Sequence, residues 1–373
     1  MTDTAKPRLL SLDVLRGLTV VGMILVNSMS GMFYGPEAKV FPLLLHAKWD
    51  GLMLADVVFP GFLMMVGVAI PLAMANSRDG AGKETGAILS RTGRLVLLGF
   101  LLSNLYWFAH FSEGAWRLFG VLQRIGLVYG ACALLFIACG PRVRMGIIAA
   151  ILILYWPLSL LPALDGLVPT DIWMRGHNFV GSVDRVLLGA GDHIYVKGPE
   201  GYDPEGLLGT LPAIAHGLIG VAIGEYLLKR PAGAAKTLAL AGAGMLVLGV
   251  AWGFVFPVIK DIWSSTFVLV TCGITTLALA GLHAWLDREP PPTGATRAFV
   301  LFGSAFGINA IAAYVLHELT GSMIGWDAML VPYHALKGSI GEGWAAFAPV
   351  LIYIGIIWLC VDYLRRRKWI VRI

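Results

Sequence analysis

The sequence predicts an all-α protein that crosses a membrane about ten times. Of its 373 residues, 57% are hydrophobic and only 14% are charged, and the mean hydropathy is +0.76, well above the value for soluble domains. Apolar runs near the length that crosses a bilayer recur from end to end. Because these runs lack strict alternation, they favour helices over the strands of a closed barrel.

The predicted spans lie at residues 10–30, 53–75, 91–111, 117–138, 144–163, 210–228, 237–258, 264–285, 298–318 and 345–364. The first span follows Lys6 and Arg8, as a signal peptide would, but no convincing cleavage site follows, so we expect it to be retained. The longest connection, residues 164–209, carries Gly, Pro and Asp in place of a helical pattern. Residues 1–373 are therefore expected to form a single transmembrane domain.

The distribution of basic residues predicts which side of the membrane each connection faces. An even number of spans puts both termini on one side, which the positive-inside rule makes cytoplasmic. The opposite segment from Asp165 to Glu205 holds seven carboxylates and three basic residues. The net charge of +5 thus reflects topology and anionic head groups, and no nucleic-acid partner is expected. The residues assigned to the cytoplasm are Arg78, Lys83, Arg91, Arg94, Arg142, Arg144, Lys229, Arg230, Lys236, Arg365, Arg366, Arg367, Lys368 and Arg372.

Cysteines and repeats add little to the functional prediction. The cysteines fall in or beside apolar runs without the spacing of metal ligands, so we expect packing roles and no bound metal. The two halves of the chain show no recognisable repeat, which leaves an inverted-repeat transporter architecture without positive support. The proline-rich linker 288–294 cannot be helical and predicts a joint before the last two spans. The cysteines are Cys132, Cys139, Cys272 and Cys360.

Polar side chains within the spans are the candidate functional residues, because each costs free energy unless it is paired or faces water. Asp13 and Arg16 lie three residues apart near the start of the first span, where they can form an interfacial ion pair. Asn27 lies near the other end of that span. It could bond a neighbouring helix, cap the helix end or contact a ligand.

His46 follows on the same predicted side of the membrane as Asn27. Histidine is suited to accepting a proton from an attacking group at neutral pH. Asp50 and Asp56 follow four and ten residues later, and a carboxylate bonded to one ring nitrogen would fix the tautomer of His46. Asp50 could equally cap a helix that begins near Gly51.

Two later spans carry further polar residues. Gln123 and Arg124 lie inside the fourth span, where an arginine requires an anionic partner, either a buried acid such as Asp56 or a phosphate or carboxylate of a ligand. Asn309 and His317 are eight residues apart in the ninth span, so both should lie near one helical face. The remaining polar residues of this kind are His216 and Glu318.

Motifs along the chain resemble the membrane domain of the heparan-α-glucosaminide N-acetyltransferase family. They run from about residue 8 to the end of the sequence and are, in order, LDVLRG, VN, HAKWDGL, ADVVFPGFL, VGVAIPL, GVLQRIG, DRVLLG, DHIY, YDPEGLLGT and INAIAAYVLHE. Enzymes of that family transfer an acetyl group from cytosolic acetyl-CoA to the amine of a terminal glucosamine across the membrane. The resemblance implies the same chemistry, the active histidine at His46, its asparagine partner at Asn27, and a homodimer or other homo-oligomer.

If the resemblance holds, the phosphates of acetyl-CoA stay near cytoplasmic cations while the pantetheine arm enters a tunnel towards Asn27. The candidate contacts for this donor are Arg16, Arg91, Arg94, Gln123, Arg124 and Asn309. The candidate contacts for the amino sugar are Asp184, Asp192, His193, Glu205 and His317. Asp203, which precedes Pro204, is expected to order its loop.

The resemblance leaves the acceptor open. Animal members have an additional lumenal domain before the first span, whereas about ten residues precede it here. This is similar to the bacterial branch and implies a multi-pass protein of the bacterial inner membrane, with His46 near the periplasmic side. Free glucosamine or an amino sugar from wall turnover is then a better candidate acceptor than heparan. The residues also fit two alternatives, a transporter of a small polar solute and an O-acetyltransferase acting on an exported glycan.

Overall fold

The protein folds into a bundle of α-helices. The computed structural model describes residues 9–74, 81–105, 116–191, 193–229, 231–288 and 290–371. These residues contain thirteen α-helices and no β-strand beyond two isolated bridges, so the predicted all-α class is confirmed. The helices are α1 (Leu10–Tyr34), α2 (Ala55–Met74), α3 (Ala81–Ser103), α4 (Val121–Ala138), α5 (Pro141–Ser159), α6 (Phe179–Leu188), α7 (Thr210–Leu228), α8 (Ala234–Gly253), α9 (Ser265–Leu286), α10 (Gly294–Ile308), α11 (Ala310–Met323), α12 (Leu330–Ile340) and α13 (Glu342–Arg366).

Within the described ranges, nine helices are long and apolar enough to cross a membrane, and the pair α10 and α11 makes a tenth span if counted together. This pair bends by 75° at Asn309, whose φ of −112° and ψ of 40° interrupt the helix. The predicted span 298–318 is therefore not one straight helix. The expectation that Asn309 and His317 share one face of a continuous helix is wrong, because the axis turns between them.

Two other predicted boundaries are also wrong. Helix α3 begins ten residues before the predicted span 91–111 and ends at Ser103, so Lys83 lies inside a helix instead of in a connection. Long basic side chains can direct their charged ends to the membrane surface, so a helix can begin before its apolar run. The connection 164–209 contains α6, which the Asn178 side chain caps by accepting the Gly181 N–H at 2.8 Å.

One end of the bundle, called the loop end here, gathers the long connections. Two hydrogen bonds join segments that are distant in sequence: Trp49 Nε1 donates to the Ile172 carbonyl at 2.9 Å, and the hydroxyl of Tyr155, near the end of α5, donates to the Ile262 carbonyl at 2.6 Å. Because side chains far apart in the sequence meet here, this end can assemble a composite site. The loop end consists of residues 35–54, 104–105, 116–120, 160–191, 193–209 and 254–264 and the first turn of α2.

The opposite end, called the terminal end, is where α1 begins and α13 ends. The Asp287 carboxylate accepts hydrogen bonds from the N–H groups of Leu10, at 2.7 Å, and Ser11, at 3.2 Å. It thereby satisfies donors that the first turn of a helix leaves without an intrahelical partner. Arg144 at the start of α5 forms an ion pair of 2.5 Å with Glu225 near the end of α7. These contacts fix the helix ends around the cavity described below.

Candidate active site

His46 and Asp56 form a hydrogen-bonded pair at the loop end. His46 Nδ1 lies 2.7 Å from Asp56 Oδ1. The aspartate side chain is 1% exposed and the histidine side chain 35%, so the acid is buried while the ring remains accessible. A buried carboxylate on one ring nitrogen holds an imidazole in one tautomer and leaves the other nitrogen to exchange a proton.

Local backbone donors hold the Asp56 carboxylate in place. Asp56 lies in the first turn of α2, where the helix dipole favours a negative charge. Its Oδ2 atom accepts hydrogen bonds from the N–H groups of Ala47 and Met53, both at 3.0 Å. Because Ala47 directly follows His46, the same carboxylate fixes both the ring and the backbone beside it.

Asp50, the other carboxylate predicted as a partner of His46, lies elsewhere. Its side chain is exposed, and its backbone forms an isolated antiparallel bridge with Ile259. Helix α2 begins at Ala55, so Asp50 is not the cap of a helix beginning near Gly51. Of the two carboxylates that the sequence offered, the structure pairs only Asp56 with the imidazole.

Lys260 joins this pair, and nothing in the sequence analysis singled it out. Its Nζ atom lies 3.0 Å from His46 Nδ1 and 3.2 Å from His46 Nε2, and 3.6 Å from Asp56 Oδ1. Lys260 comes from the short connection between α8 and α9. Without the fold, a charged residue in such a connection is the ordinary pattern of a membrane protein and indicates no function.

Asn27 lies seven residues before the end of α1 at Tyr34, is half-buried and makes no hydrogen bond with any described residue. One turn further along α1, the buried hydroxyl of Ser30 also lacks a partner within the described ranges. Buried polar groups are usually satisfied, so the unsatisfied Ser30 hydroxyl on the same helix face as Asn27 can accommodate a polar ligand. No contact is found between the side chains of Asn27 and His46.

A second polar cluster at the loop end centres on Arg117. Its guanidinium bonds both oxygens of Asp203, at 2.6 and 2.8 Å, and one oxygen of Glu205 at 2.5 Å. Burial disfavours the charged form of Arg117, but the two acids outweigh it and hold its pKa above the ordinary value. Burial would raise the pKa of the Glu205 carboxyl, but the charges of Arg117, Arg124 and Lys260 together with the Arg117 hydrogen bond outweigh it, so the pKa lies below its ordinary value.

The structure describes four of the five predicted sugar-binding residues, and each of the four has a structural contact. Asp184 is buried, accepts the Asp203 and Leu207 N–H groups and has its pKa raised to about 6 by burial. His193 Nδ1 lies 2.7 Å from the Trp116 carbonyl oxygen. These contacts order the loop end. Of the remaining candidates, Glu205 pairs with Arg117, His317 is buried in α11 beside the Tyr353 hydroxyl at 3.1 Å, and Asp192 lies outside the described residues.

A cavity of about 610 Å³ opens towards the terminal end. Arg16 and Arg91 supply its cationic lining. Arg16 also forms the predicted pair with Asp13 at 3.2 Å, and the guanidinium of Arg91 lies 4.5 Å from the ring centre of Tyr129. Its volume is in the range of small-molecule sites, which combine apolar walls with a few polar groups. Apolar lining residues include Phe62, Val66, Leu95, Leu122, Ile125 and Ala310.

Three other predicted donor contacts lie outside this lining. Arg94 is exposed on α3, and Gln123 Nε2 donates to the Leu118 carbonyl at 3.3 Å. Asn309 adjoins the cavity at the bend between α10 and α11, where its Oδ1 accepts the Val371 N–H at 3.0 Å. The tail after α13 thus folds back beneath the bundle, and Val371 itself lines the cavity.

Arg124 also lies outside the cavity lining and is fully buried. Its Nη2 donates to the Gly206 carbonyl at 3.1 Å, and its guanidinium carbon lies 4.9 Å from the ring centre of Trp263. The Nε and Nη1 atoms have no hydrogen-bonding partner among the described residues. The predicted ion pair with Asp56 is not found, because that carboxylate is directed to His46 and Lys260.

Comparisons with known proteins show which family this chain is similar to. Residues 8–178 match the family model described as "Heparan-alpha-glucosaminide N-acetyltransferase, catalytic". Two curated proteins of that name are similar to this chain over 97% of its length, one from Homo sapiens at 28% identity and one from Mus musculus at 26%. The predicted resemblance to this family is confirmed. The chain spans 59% and 60% of the lengths of these two relatives, and the matched segment contains Asn27, His46 and Asp56.

Proposed function

We propose that this protein is a transmembrane acyltransferase that moves an acetyl group from acetyl-CoA to the amine of a glucosamine-like amino sugar. The observation that carries the proposal is the His46–Asp56 pair, with its 2.7 Å hydrogen bond at the loop end of a membrane-spanning bundle. The names of the similar proteins supply the reaction class. The cavity that opens at the other end of the bundle supports a donor arriving from that side.

The loop end faces the outside of the cell in this proposal, and the terminal end faces the cytoplasm of a bacterium. Positive charge concentrates in connections that remain in the cytoplasm. Arg16 and Arg91 would hold the phosphates of the donor near the cytoplasmic surface, since arginine pairs well with phosphate oxygens. The apolar lining would then carry the acyl-bearing arm towards the loop end. Basic residues at the terminal end include Arg142, Arg144, Lys229, Arg365, Arg366 and Arg367.

His46 would act as the general base. The acceptor ammonium first releases one proton to solvent, and the lone pair of the neutral amine attacks the thioester carbonyl carbon. With Nδ1 bonded to Asp56, Nε2 of His46 takes the second proton from the attacking nitrogen as the C–N bond forms and the C–S bond breaks. The imidazolium returns its proton to the departing thiolate, so free CoA leaves as a thiol and His46 is regenerated.

Asn27 would donate a hydrogen bond to the negative charge that develops on the thioester oxygen. Its amide makes no hydrogen bond with any described residue, so it can serve a ligand without breaking a structural contact. Loss of one such donor typically slows a reaction by about 10²–10³-fold. An acetyl-histidine intermediate is the competing route, in which His46 attacks the thioester first.

The proposal is tested by measuring acetyl transfer to glucosamine in purified protein supplied with acetyl-CoA. We expect N-acetylglucosamine and free CoA in equal amounts, with turnover lost in His46→Ala. The control variant is His334→Ala, because His334 is exposed on α12 and makes no hydrogen bond with His46, Asp56 or Lys260. Near-native turnover in His46→Ala would overturn the assignment.

The same preparation separates the alternatives. A transporter reconstituted in vesicles would move labelled amino sugar unchanged and release no CoA, whereas the proposed enzyme yields acetylated product only when both substrates are present. An O-acetyltransferase would acetylate a glycan hydroxyl and leave glucosamine unmodified. A double-displacement kinetic pattern, together with an acetylated His46 detected by mass spectrometry, would favour the covalent route.

A further inference from the structure

A tightly bonded turn presents Lys260 to the site. Ser264 N donates to the Ile259 carbonyl at 3.0 Å, and Trp263 N donates to the Lys260 carbonyl at 2.8 Å. Ile259 N in turn donates to Ser264 Oγ at 3.0 Å. Trp263 adopts a left-handed backbone with φ of 53°, which is unfavourable for a residue with a side chain. The surrounding contacts therefore hold this turn in one conformation.

The backbone of this turn is joined directly to the segment that carries His46. Ile259 pairs with Asp50 in an antiparallel bridge, and Gly51 N donates to the Val258 carbonyl at 2.9 Å. Lys260 and His46 are 214 residues apart in the sequence. The bridge holds the backbone segments that carry Lys260 and His46 next to each other. The contact between the two side chains therefore depends on the main chain as well as on the lysine side chain.

The Lys260 ammonium lies at nearly equal distances from both ring nitrogens of His46, 3.0 and 3.2 Å. Such a position is in line with neither lone pair, so the contact is chiefly electrostatic. Lys260 also interacts electrostatically with Glu205 and Asp261, and Glu205 is itself paired with Arg117. Among the described residues, the charged groups in contact with His46 are Asp56 and Lys260.

From this geometry we infer that Lys260 selects the charge state of the acceptor, admitting the amine to His46 in its neutral form and repelling it as an ammonium. This inference rests on the proposed function. Any cationic group that reaches Nε2 of His46 must also approach the Lys260 ammonium, which lies 3.2 Å from that nitrogen. Like charges at such distances repel strongly when they are partly shielded from water, and the Lys260 side chain is only 15% exposed.

Two consequences for the reaction follow. The acceptor must give up its proton before or as it binds, so it enters as the nucleophile that the reaction needs. The same ammonium favours the negative charge that forms on the thioester oxygen and then on the leaving sulfur. Without Lys260, the carboxylates of Asp56, Glu205 and Asp261 would attract the charged amine, which cannot react in that form.

The inference is tested with Lys260→Met, Lys260→Gln and the charge-retaining Lys260→Arg. The binding probe is N,N,N-trimethylglucosamine, an acceptor analogue with a permanent positive charge and no reactive lone pair. We expect both neutral variants to bind it about 10-fold more tightly than the wild type, because a repulsive charge is removed. Lys260→Arg should bind it as weakly as the wild type. Binding is measured by calorimetry, so this readout requires no turnover.

Kinetics with glucosamine give a second readout. The neutral variants should lose the most activity at low pH, where the acceptor is charged, and recover towards the wild-type rate as pH rises. A merely structural role would instead slow the reaction equally at every pH and weaken probe binding. Unchanged or weaker probe binding in Lys260→Met and Lys260→Gln, or equal behaviour of the Arg and Met variants, would overturn the inference. If the neutral variants bind the probe more tightly but the wild type transfers no acetyl group, the charge selection by Lys260 is supported and the proposed function is rejected.

Discussion

The two ends of the bundle differ in what surrounds their charged groups. At the loop end, acids and bases bond to one another, as in the His46–Asp56 pair at 2.7 Å and the Arg117–Glu205 pair at 2.5 Å. At the terminal end, Arg16 and Arg91 border a cavity of about 610 Å³ with largely apolar walls. The contrast teaches that the loop end holds a histidine and its acid in fixed positions, whereas the terminal end offers an open cavity with the volume of a small-molecule site.

The largest effect should come from breaking the fixed geometry at the loop end. Asp56→Asn is nearly isosteric but can no longer hold His46 in one tautomer as a charged acceptor. We expect acetyl transfer to fall by about 10³-fold or more, as for aspartates in comparable triads, while thermal stability changes little. The matched variant is Asp50→Asn, since Asp50 is exposed and makes no contact with His46. Equal losses in both variants would refute the pairing seen in the structure.

The next effect concerns stability at the loop end. Arg117→Met leaves Asp203 and Glu205 buried without their cation, and breaking such a pair typically costs about 3–5 kcal/mol. Thermal unfolding in detergent should show this as a clear drop in the midpoint temperature. Arg175→Met, which removes an exposed arginine bonded to Tyr202 at 2.6 Å, should lower the midpoint much less. A comparable drop in midpoint temperature in both variants would mean that the ion pairs of Arg117 stabilise the fold no more than the hydrogen bond of the exposed Arg175 to Tyr202 does.

Asp184 is expected to make a pH-dependent contribution of intermediate size to the free energy of unfolding. Burial raises its pKa from 3.8 to about 6, so between these values the folded state binds a proton that the unfolded state has released. The contribution to stability is therefore full below about pH 4 and lost as pH rises through about 6, with an upper limit of about 3 kcal/mol. The measurement is the difference in unfolding free energy between wild type and Asp184→Asn across pH 4–7. A difference that stays constant over this interval would contradict the assignment.

The smallest effect tests the cavity. Arg91→Gln should raise the KM for acetyl-CoA by about 5-fold, the loss of roughly 1 kcal/mol of charge-assisted phosphate binding, and should leave kcat nearly unchanged. Arg94→Gln, one turn further along α3 and exposed, should leave KM unchanged. Steady-state kinetics with varied acetyl-CoA make the comparison. If Arg94→Gln had the larger effect, the donor would have to bind outside this cavity.

Sequence patterns predicted the spans well where an apolar run coincides with a helix and poorly where it does not. Helix α5 at Pro141–Ser159 lies close to the predicted 144–163, and α13 at Glu342–Arg366 includes 345–364. Helix α3 extends back over Lys83, which the pattern assigned to a connection. The bend at Asn309 was also missed, because a run of apolar residues has the same hydropathy whether the helix is straight or broken.

The candidate site was predicted in part. His46, Asp56 and Asn27 were singled out, since polar residues stand out against apolar spans and a histidine with nearby carboxylates suggests proton transfer. Lys260 and Arg117 were missed because each lies at a span boundary, where charged residues are expected for topological reasons alone. Their partners lie far away in the sequence, and no local pattern reveals such pairings.

By itself, the sequence determined that the chain crosses a membrane as helices, because burying the backbone in lipid requires long apolar segments with internal hydrogen bonds. It also determined the family resemblance and the candidate histidine. Only the tertiary structure decided that Asp56 and not Asp50 holds His46, and that Lys260 faces the same ring from 214 residues away. The physical reason is that hydropathy is a local property of the chain, whereas the contacts between charged groups depend on how distant connections meet at one end of the bundle.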